Sequence, residues 1–181
     1  MSKSAQKILD TAESLFYQQS INGVGVDLIR DQSGCSKTTM YTYFKNKNQL
    51  VQSVLLERDK KFRLSLESYI SDAIGVDALL KIFDWHANWF NQDDYKGCLF
   101  VRAVAETSDD LDVIEISKNH KEWIRQLIEK NCSFSENEFV MSNIIYTLIE
   151  GLISRFLVEG YSLELELNTK NALNKIIISL S

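Results

Sequence analysis

Apolar positions recur at three- and four-residue intervals along nearly the whole chain, the spacing of amphipathic helices. One stretch departs from it: residues 162–167, Ser-Leu-Glu-Leu-Glu-Leu, alternate with a period of two. Because no partner strand is visible for this stretch, we expect an extended loop there. The pattern predicts an all-α fold of about nine helices, at approximately 8–21, 26–33, 37–44, 46–70, 76–92, 98–107, 111–131, 136–159 and 169–180.

The second and third predicted helices are short and are separated only by Gly34-Cys35-Ser36. Gly34 suits a left-handed residue that ends a helix, and the Ser36 hydroxyl can cap the next one. Met40 and Phe44 would point inward from that third helix. Two short helices joined by a glycine-containing turn are typical of a helix-turn-helix, whose second helix enters a DNA major groove.

The outward face of the third helix is rich in hydroxyl groups and is flanked by lysines. Such a face could simply be solvated, but the helix-turn-helix context favours DNA binding. Lysine and tyrosine side chains suit phosphates, whereas threonine can touch base edges or a thymine methyl. We therefore predict DNA contacts from Lys37, Thr38, Thr39, Tyr41, Thr42, Tyr43 and Lys47.

A specific set of residues between Ile8 and Leu50 carries a family resemblance. The set is Ala12, Leu15-Phe16, Gly23, Ile29, Gly34-Cys35-Ser36-Lys37-Thr38-Thr39-Met40-Tyr41, Tyr43-Phe44, Lys47 and Leu50. This stretch resembles the DNA-binding domain of the tetracycline-repressor (TetR) family of bacterial transcription regulators. Gly25 and Arg30 depart from the family pattern, which usually has Thr or Ser and a small Ala there. The resemblance implies a DNA-binding domain over 1–46 and a helical regulatory and dimerisation domain over 47–181.

Composition agrees with a helical, globular protein. The chain has 181 residues, 45% hydrophobic and 25% charged, with seven glycines and no proline. Its three cysteines have no disulfide or zinc spacing, and neither a secretory leader nor a membrane span is visible. We therefore expect a cytoplasmic protein with no metal, no cofactor and no membrane partner.

The net charge of −5 conceals an asymmetry between two parts of the chain. Residues 1–63 hold ten Lys/Arg against six Asp/Glu, a charge of +4, and the remaining residues hold ten against nineteen, a charge of −9. A basic N-terminal third on an acidic body is compatible with nucleic-acid binding at one end only.

The predicted helices at 136–159 and 169–180 carry apolar sectors wider than one buried stripe. Ser135 and Glu138 have capping-box spacing, flanked by Phe134 and Phe139 at staple positions. These two helices could be core helices, but the family resemblance implies that they form the interface of a homodimer. The residues predicted for it are Ile145, Leu148, Leu152, Phe156, Leu173, Ile176, Ile177 and Leu180.

An aromatic cluster in the middle of the chain could be plain core or could line an apolar ligand cavity. The resemblance implies a small apolar or aromatic inducer held among these helices. His86 and His120 are more typical of hydrogen-bonding histidines than of metal ligands. The predicted ligand-binding residues are Trp85, His86, Trp89, Phe90, Phe100 and Trp123.

Cys98 follows Gly97 at the start of the sixth predicted helix. A cysteine at a helix N-terminus can have a lowered thiol pKa, which is the chemistry of a redox sensor, although a buried structural cysteine has the same position. Cys35 and Cys132 are expected to be structural.

Three function classes follow from the sequence. The first is a repressor released from double-stranded operator DNA by a small ligand, and the second is the same DNA reader switched by oxidation or alkylation of Cys98. The third is a helical module, enzyme or interaction protein, that binds no DNA. An enzyme is not expected, because neither a catalytic triad, a carboxylate pair nor a Gly-rich phosphate loop is visible.

Overall fold

The computed structural model describes residues 2–107 and 109–181, and within them the chain forms nine α-helices and no strand. This confirms the all-α prediction. Met1 and Ser108, which fall in the two predicted domains, lie outside the described residues. The helices are α1 (Lys3–Gln18), α2 (Val26–Ser33), α3 (Lys37–Tyr43), α4 (Lys47–Ile70), α5 (Gly75–Phe90), α6 (Leu99–Glu106), α7 (Leu111–Lys130), α8 (Glu138–Glu159) and α9 (Leu163–Leu180).

The chain divides into two compact units. The first unit runs up to Phe62 and also contains Cys98–His120, and the second unit contains Arg63–Gly97 and Lys121–Ser181. The helices α4 and α7 therefore contribute residues to both units. The predicted functional boundary at residue 46 stays a prediction.

In the first unit, α1 packs against α2 and α3 through an apolar face. Polar contacts join α1 to α4: Arg58 pairs with Glu13 at 2.9 Å, and its guanidinium lies 4.4 Å from the centre of the Tyr17 ring. Lys61 bonds both Asp10 and Glu13. The buried side chains of the α1 face are Ala5, Ile8, Leu9, Ala12, Leu15, Phe16 and Tyr17.

In the second unit, α5 packs against α8 and α9. The Phe90 and Phe156 rings lie 5.2 Å apart in its core, and both side chains are buried. Ion pairs between Lys121 and Glu150 and between Lys170 and Asp84 connect its helices at the periphery.

Asn46 and Gln49 form reciprocal capping hydrogen bonds at the start of α4. The Asn46 side chain accepts a hydrogen bond from the Gln49 amide at 2.8 Å, and the Gln49 side chain accepts one from the Lys45 amide at 2.7 Å. Two amides at the helix entrance are thereby satisfied. From there α4 continues without a break to Ile70, as the apolar pattern predicts.

The loop prediction for residues 162–167 is wrong, because α9 begins at Leu163. The Ser162 side chain accepts a hydrogen bond from the Leu165 amide, and Glu164 and Glu166 lie in the first turn. Leucine and glutamate are strong helix formers, and acidic residues are favoured at a helix N-terminus. The alternation of leucine and glutamate gave a wrong prediction because Leu163 and Leu167 are exposed, so the alternating leucines do not form one buried face.

The predicted capping box at Ser135 is also wrong, because α8 begins at Glu138. The Ser135 hydroxyl donates to the Leu180 carbonyl and accepts from the Asn137 amide, so it caps no helix at Glu138. Phe139 is exposed, and Phe134 lies against Gly75. Side-chain contacts distant in sequence thus displaced the local capping interaction.

The helix α8 is long and apolar enough to cross a membrane by length and composition, the one such helix in the described part of the chain. Core helices pass the same test, and α8 buries seven of its side chains in the second unit.

Candidate DNA-binding surface

The helix-turn-helix is shaped by a left-handed glycine, a side-chain helix cap and two buried apolar side chains. Gly34 adopts the left-handed conformation, with φ of 63°, and ends α2. The Ser36 hydroxyl accepts from the Thr39 amide at 3.0 Å and caps α3. Met40 and Phe44 are buried beneath α3, as predicted, so the opposite face of the helix is turned to solvent.

The exposed face of α3 carries the side chains predicted to contact DNA. Tyr41 and Tyr43 are 43% and 42% exposed, which is high for aromatic residues. The Thr42 hydroxyl donates to the Thr38 carbonyl, and the Thr39 hydroxyl lies 2.8 Å from that of Ser36. Among the residues that the structure describes, none forms a hydrogen bond with the Thr38 hydroxyl, unlike those of Thr39 and Thr42.

The cations of this surface are not equally available. Lys37 lies 3.5 Å from an Asp27 carboxylate oxygen that also binds Arg30 at 2.8 Å. Arg30 in turn contacts Asp31, and this hydrogen bond raises the pKa of the Arg30 guanidinium. The residue that departs from the family pattern is therefore held within α2 by two carboxylates.

Lys47, the other lysine predicted to contact phosphate, is half-buried at the start of α4. Burial lowers the pKa of Lys47, and the negative charge of Glu106 opposes that shift. Glu106 is the last residue of α6, and its side chain accepts a hydrogen bond from the Asn22 amide at 2.8 Å. An acidic residue of α6 thus acts on a predicted phosphate contact.

Sequence reasoning missed Arg102, which binds α6 to the end of α1. Its guanidinium donates to the carbonyls of Tyr17 at 2.8 Å, Phe16 at 3.2 Å and Gln19 at 2.7 Å. The last carbonyls of a helix have no partners within the helix, so a cation there satisfies them and also interacts favourably with the helix dipole. A single cation in the apolar segment 99–105 was the available signal.

Four of the six predicted ligand-binding residues lie together on α5. The Trp85 and Trp89 ring centres are 6.4 Å apart, His86 lies edge-on to Trp85, and Phe90 lies 5.7 Å from Trp89. His86 is buried, with Nδ1 2.7 Å from the Ile82 carbonyl oxygen.

The other two predicted ligand-binding residues have different surroundings. Trp123 lies in the second unit, with the Arg63 guanidinium 4.9 Å from its ring centre. Phe100 belongs to the first unit, where its ring stacks on His120 at 3.7 Å. His120 is buried and lies 2.7 Å from an Asp59 carboxylate oxygen.

Most residues predicted for the dimer interface are already buried within one protomer. The buried ones are Ile145, Leu152, Phe156, Leu173 and Ile177, whereas Leu148, Ile176 and Leu180 are half-buried. The five buried side chains support the protomer's own core, so a partner could not reach them without opening it. The large apolar residues of α8 and α9 that are exposed are Phe139, Val140, Ile144, Leu157, Val158, Leu163, Leu167 and Ile178.

Cys98 precedes α6, as predicted, and is buried, with 6% of its surface exposed. Burial raises the pKa of the Cys132 thiol to about 11. Cys35 lies in the helix-turn-helix turn against the Ser4 carbonyl. No group of three His, Cys, Asp or Glu side chains that could hold a metal occurs within residues 2–107 and 109–181.

Comparison with known proteins identifies the same region. Residues 8–54 match the sequence model of the bacterial regulatory proteins of the tetR family. The HTH-type transcriptional regulator LmrA of Bacillus subtilis is 28% identical over 159 residues, 82% of this chain and 83% of that protein. An uncharacterized HTH-type regulator of Mycobacterium tuberculosis is 30% identical over 71 residues, 39% of this chain and 35% of its own length. The match thus spans about a third of the latter protein.

Solved structures show the same fold along almost the whole chain. The TetR-family regulator SCO4454 of Streptomyces coelicolor superposes with a TM-score of 0.90 at 19% identity, over 99% of this chain and 97% of that one. The reduced form of Escherichia coli NemR has a TM-score of 0.84 at 19% identity, over 96% of each chain. Members of this family are transcriptional regulators rather than enzymes, and they bind operator DNA as dimers. Residues 8–54 therefore match the DNA-binding region of the tetR family of bacterial regulatory proteins, and the whole chain has the fold of solved TetR-family regulators.

Proposed function

We propose that this protein is a cytoplasmic, dimeric repressor that leaves its operator when a small apolar or aromatic molecule binds its C-terminal part. The observation that carries the DNA-reading role is the outer face of α3. Two tyrosines are more than 40% exposed there, above a base formed by buried Met40 and Phe44. A helix so anchored presents a rigid polar surface to a major groove.

Within α3, the contacts divide by chemistry. Tyr41 and Tyr43 suit phosphates, and Thr38, with its unengaged hydroxyl, is the best candidate for a base edge. Thr39, Thr42, Lys37 and Lys47 complete the proposed surface, although each of these side chains is already engaged with the protein or half-buried.

Selection of random duplexes by the purified protein tests the DNA-reading role. We expect a palindromic consensus whose affinity falls steeply with salt concentration, because each protomer neutralises several phosphates. A Tyr41→Ala variant should lose affinity for all sequences about equally, and a Thr38→Ala variant should change base preference by about 1–3 kcal/mol at one position. Binding without salt dependence, or without a consensus, would contradict the proposal.

The dimer proposal rests on the exposed apolar face of α8 and α9. Ile144, Leu157, Leu167 and Ile178 are 36–77% exposed, an unusual density of aliphatic surface for two adjacent helices. Ile178→Glu should shift the sedimentation equilibrium toward monomer, and Ile74→Glu, an exposed substitution on a different segment, should not. A wild-type protein that sediments as a monomer at micromolar concentration would exclude this interface.

The ligand proposal rests on the aromatic cluster of α5, because neighbouring aromatic rings offer an apolar surface that is suited to flat apolar molecules. Phe100 and Trp123 stay predictions as ligand contacts. A compound that quenches tryptophan fluorescence should bind free protein more tightly than DNA-bound protein, by the factor with which it weakens DNA binding. Equal affinities in the two states would exclude that compound as an inducer.

The Cys98 alternative has less support, because its side chain is buried. It predicts that peroxide releases DNA from the wild-type protein but not from Cys98→Ser, whereas the ligand proposal predicts no difference between the two proteins.

A further inference from the structure

The N-terminal third of the chain owes its positive charge to ten Lys and Arg residues, but ion pairs occupy several of them. Arg30 and Lys37 share Asp27, Arg58 binds Glu13, and Lys61 binds both Asp10 and Glu13. Half-buried Lys47 lies in the field of Glu106. A cation already paired with a carboxylate gains less from a phosphate, because the existing pair must be broken or shared. Within residues 2–63 the exposed lysines that have no carboxylate partner are Lys3, Lys7, Lys45 and Lys60.

Two of these lysines, Lys3 and Lys7, lie in the first turns of α1, at the end of the helix opposite to the one that α6 contacts. The C-terminal end of α1 is held by α6, since Arg102 binds the carbonyls of Phe16, Tyr17 and Gln19. A helix of 16 residues is about 24 Å long, so its N-terminal end lies far from α6. At that end the first turns of α1 approach the helix-turn-helix turn: the Ser4 carbonyl lies near the Cys35 sulfur.

Lys7, about one turn further along α1 than Ser4, also reaches that turn. Its Nζ would lie only 3.5 Å from a Cβ placed on Gly34, which follows α2 and precedes the cap of α3, Ser36, by two residues. The side chain is exposed, and its ammonium group makes no ion pair within the described chain. An ammonium group without an ion pair therefore lies against Gly34, three residues before the proposed recognition helix begins at Lys37.

We infer that Lys7 is a DNA phosphate contact, which extends the DNA-binding surface from α3 across the turn to the first turns of α1. The inference rests on the proposed DNA-reading role of α3. A phosphate beside the N-terminal end of α3 would meet the ammonium group without breaking an existing ion pair. Lys7 would add affinity that does not depend on sequence, because an ammonium on a flexible stem acts as a point charge.

The test compares Lys7→Gln with Lys60→Gln. Both substitutions remove one exposed, unpaired charge from the first unit, but Lys60 lies 13 residues along α4 from Lys47, about 20 Å away. Binding is measured by fluorescence anisotropy from 50 to 300 mM salt, with the duplex selected by the wild-type protein and with a scrambled duplex. Thermal unfolding of each variant checks that the fold is intact.

We expect Lys7→Gln to weaken binding to both duplexes about tenfold per contacting protomer near 0.1 M salt. The slope of log affinity against log salt should become shallower by about one for each protomer. Lys7→Arg should retain the wild-type affinity and slope, and Lys60→Gln should change neither.

The outcomes separate this inference from the proposed function. Wild-type protein that shows no salt-dependent binding would overturn the DNA-reading role of α3 itself. Wild-type protein that binds normally, with Lys7→Gln indistinguishable from Lys60→Gln, would overturn the role of Lys7 and leave that of α3 intact. A loss confined to the selected duplex would also overturn it, because a phosphate contact cannot discriminate between sequences.

Discussion

Within each of the two compact units, a different kind of contact between helices is prominent. In the first unit, directional polar bonds join helices in addition to the apolar face of α1: Arg102 to the end of α1, Arg58 to Glu13, and His120 beside Asp59. The core of the second unit is instead a run of aromatic rings from α5 to α8, in which Phe90 contacts Phe156. Directional bonds fix the angle between helices, whereas packed rings bury more apolar area and tolerate adjustment. The difference suits a unit that must hold a DNA-reading helix and a unit proposed to accept a ligand.

The largest effect should come from the aromatic core of the second unit. Phe156 is 2% exposed and contacts Phe90 and Tyr161, so Phe156→Ala should destabilise the fold by about 3–5 kcal/mol. Chemical denaturation followed by circular dichroism measures this loss. Val158→Ala, which truncates a side chain that is 82% exposed on the same helix, is the matched control and should change stability by about 0.5 kcal/mol or less.

This experiment also distinguishes core from interface. A core role for Phe156 predicts a loss of stability that does not depend on protein concentration, whereas an interface role predicts dissociation of an otherwise stable protomer. A folded Phe156→Ala monomer with wild-type stability would contradict the structure.

The next effect tests the directional bonds of the first unit. Arg102→Met keeps much of the aliphatic stem but removes three hydrogen bonds to carbonyls of α1, and should cost about 2–3 kcal/mol. Amide exchange should accelerate at the C-terminal end of α1 before it does elsewhere. Arg155→Met, which removes an exposed pair with Glu159, should cost no more than about 0.5 kcal/mol. Equal losses for the two variants would show that Arg102 does not brace α1.

The contrast between these residues also shows what the sequence could predict. The helix-turn-helix follows from local signals, because Gly34 and the Ser36 cap act within a few residues. Arg102 could not be placed, because its partners are carbonyls 83–86 residues away. The apolar pattern of α8 and α9 marks their helical periodicity but does not say whether a side chain faces its own core or a second protomer. For that reason the predicted interface included Ile145, which is fully buried.

A smaller effect concerns the charge that α6 places near the DNA-binding surface. Glu106→Gln keeps an oxygen that can accept from the Asn22 amide but removes the charge that acts on Lys47. DNA affinity should rise by roughly twofold to fivefold, because the lysine then has no competing carboxylate. The gain should disappear when Lys47 is replaced by Gln, and Glu115→Gln, an exposed charge change on α7, should give none. A gain that persists in the Lys47→Gln background would assign the effect to the overall charge of the protein.

The smallest effect is the pH dependence of the exposed Asp10–Lys61 pair in the first unit. Burial raises the pKa of Asp10, but the hydrogen bonds from Lys61 and Gln6 and the positive charge of Lys61 together lower it by more than burial raises it. The pKa of Asp10 therefore lies below 3.8. The stabilising contribution of Asp10 is therefore present above pH 3.8 and is lost as the pH falls through the lower folded-state value. For Lys61, burial lowers the pKa, but Glu13 and Asp10 raise it above 10.5, so its contribution is present below pH 10.5 and is lost at higher pH.

Since about half of each side chain of the Asp10–Lys61 pair is exposed, Asp10→Asn should cost only a few tenths of a kcal/mol at pH 7, and the difference from wild type should vanish near pH 2. Denaturation curves at both pH values, with Glu67→Gln as an exposed control, decide the matter: a difference that widens as the pH falls would contradict the sign of the Asp10 shift.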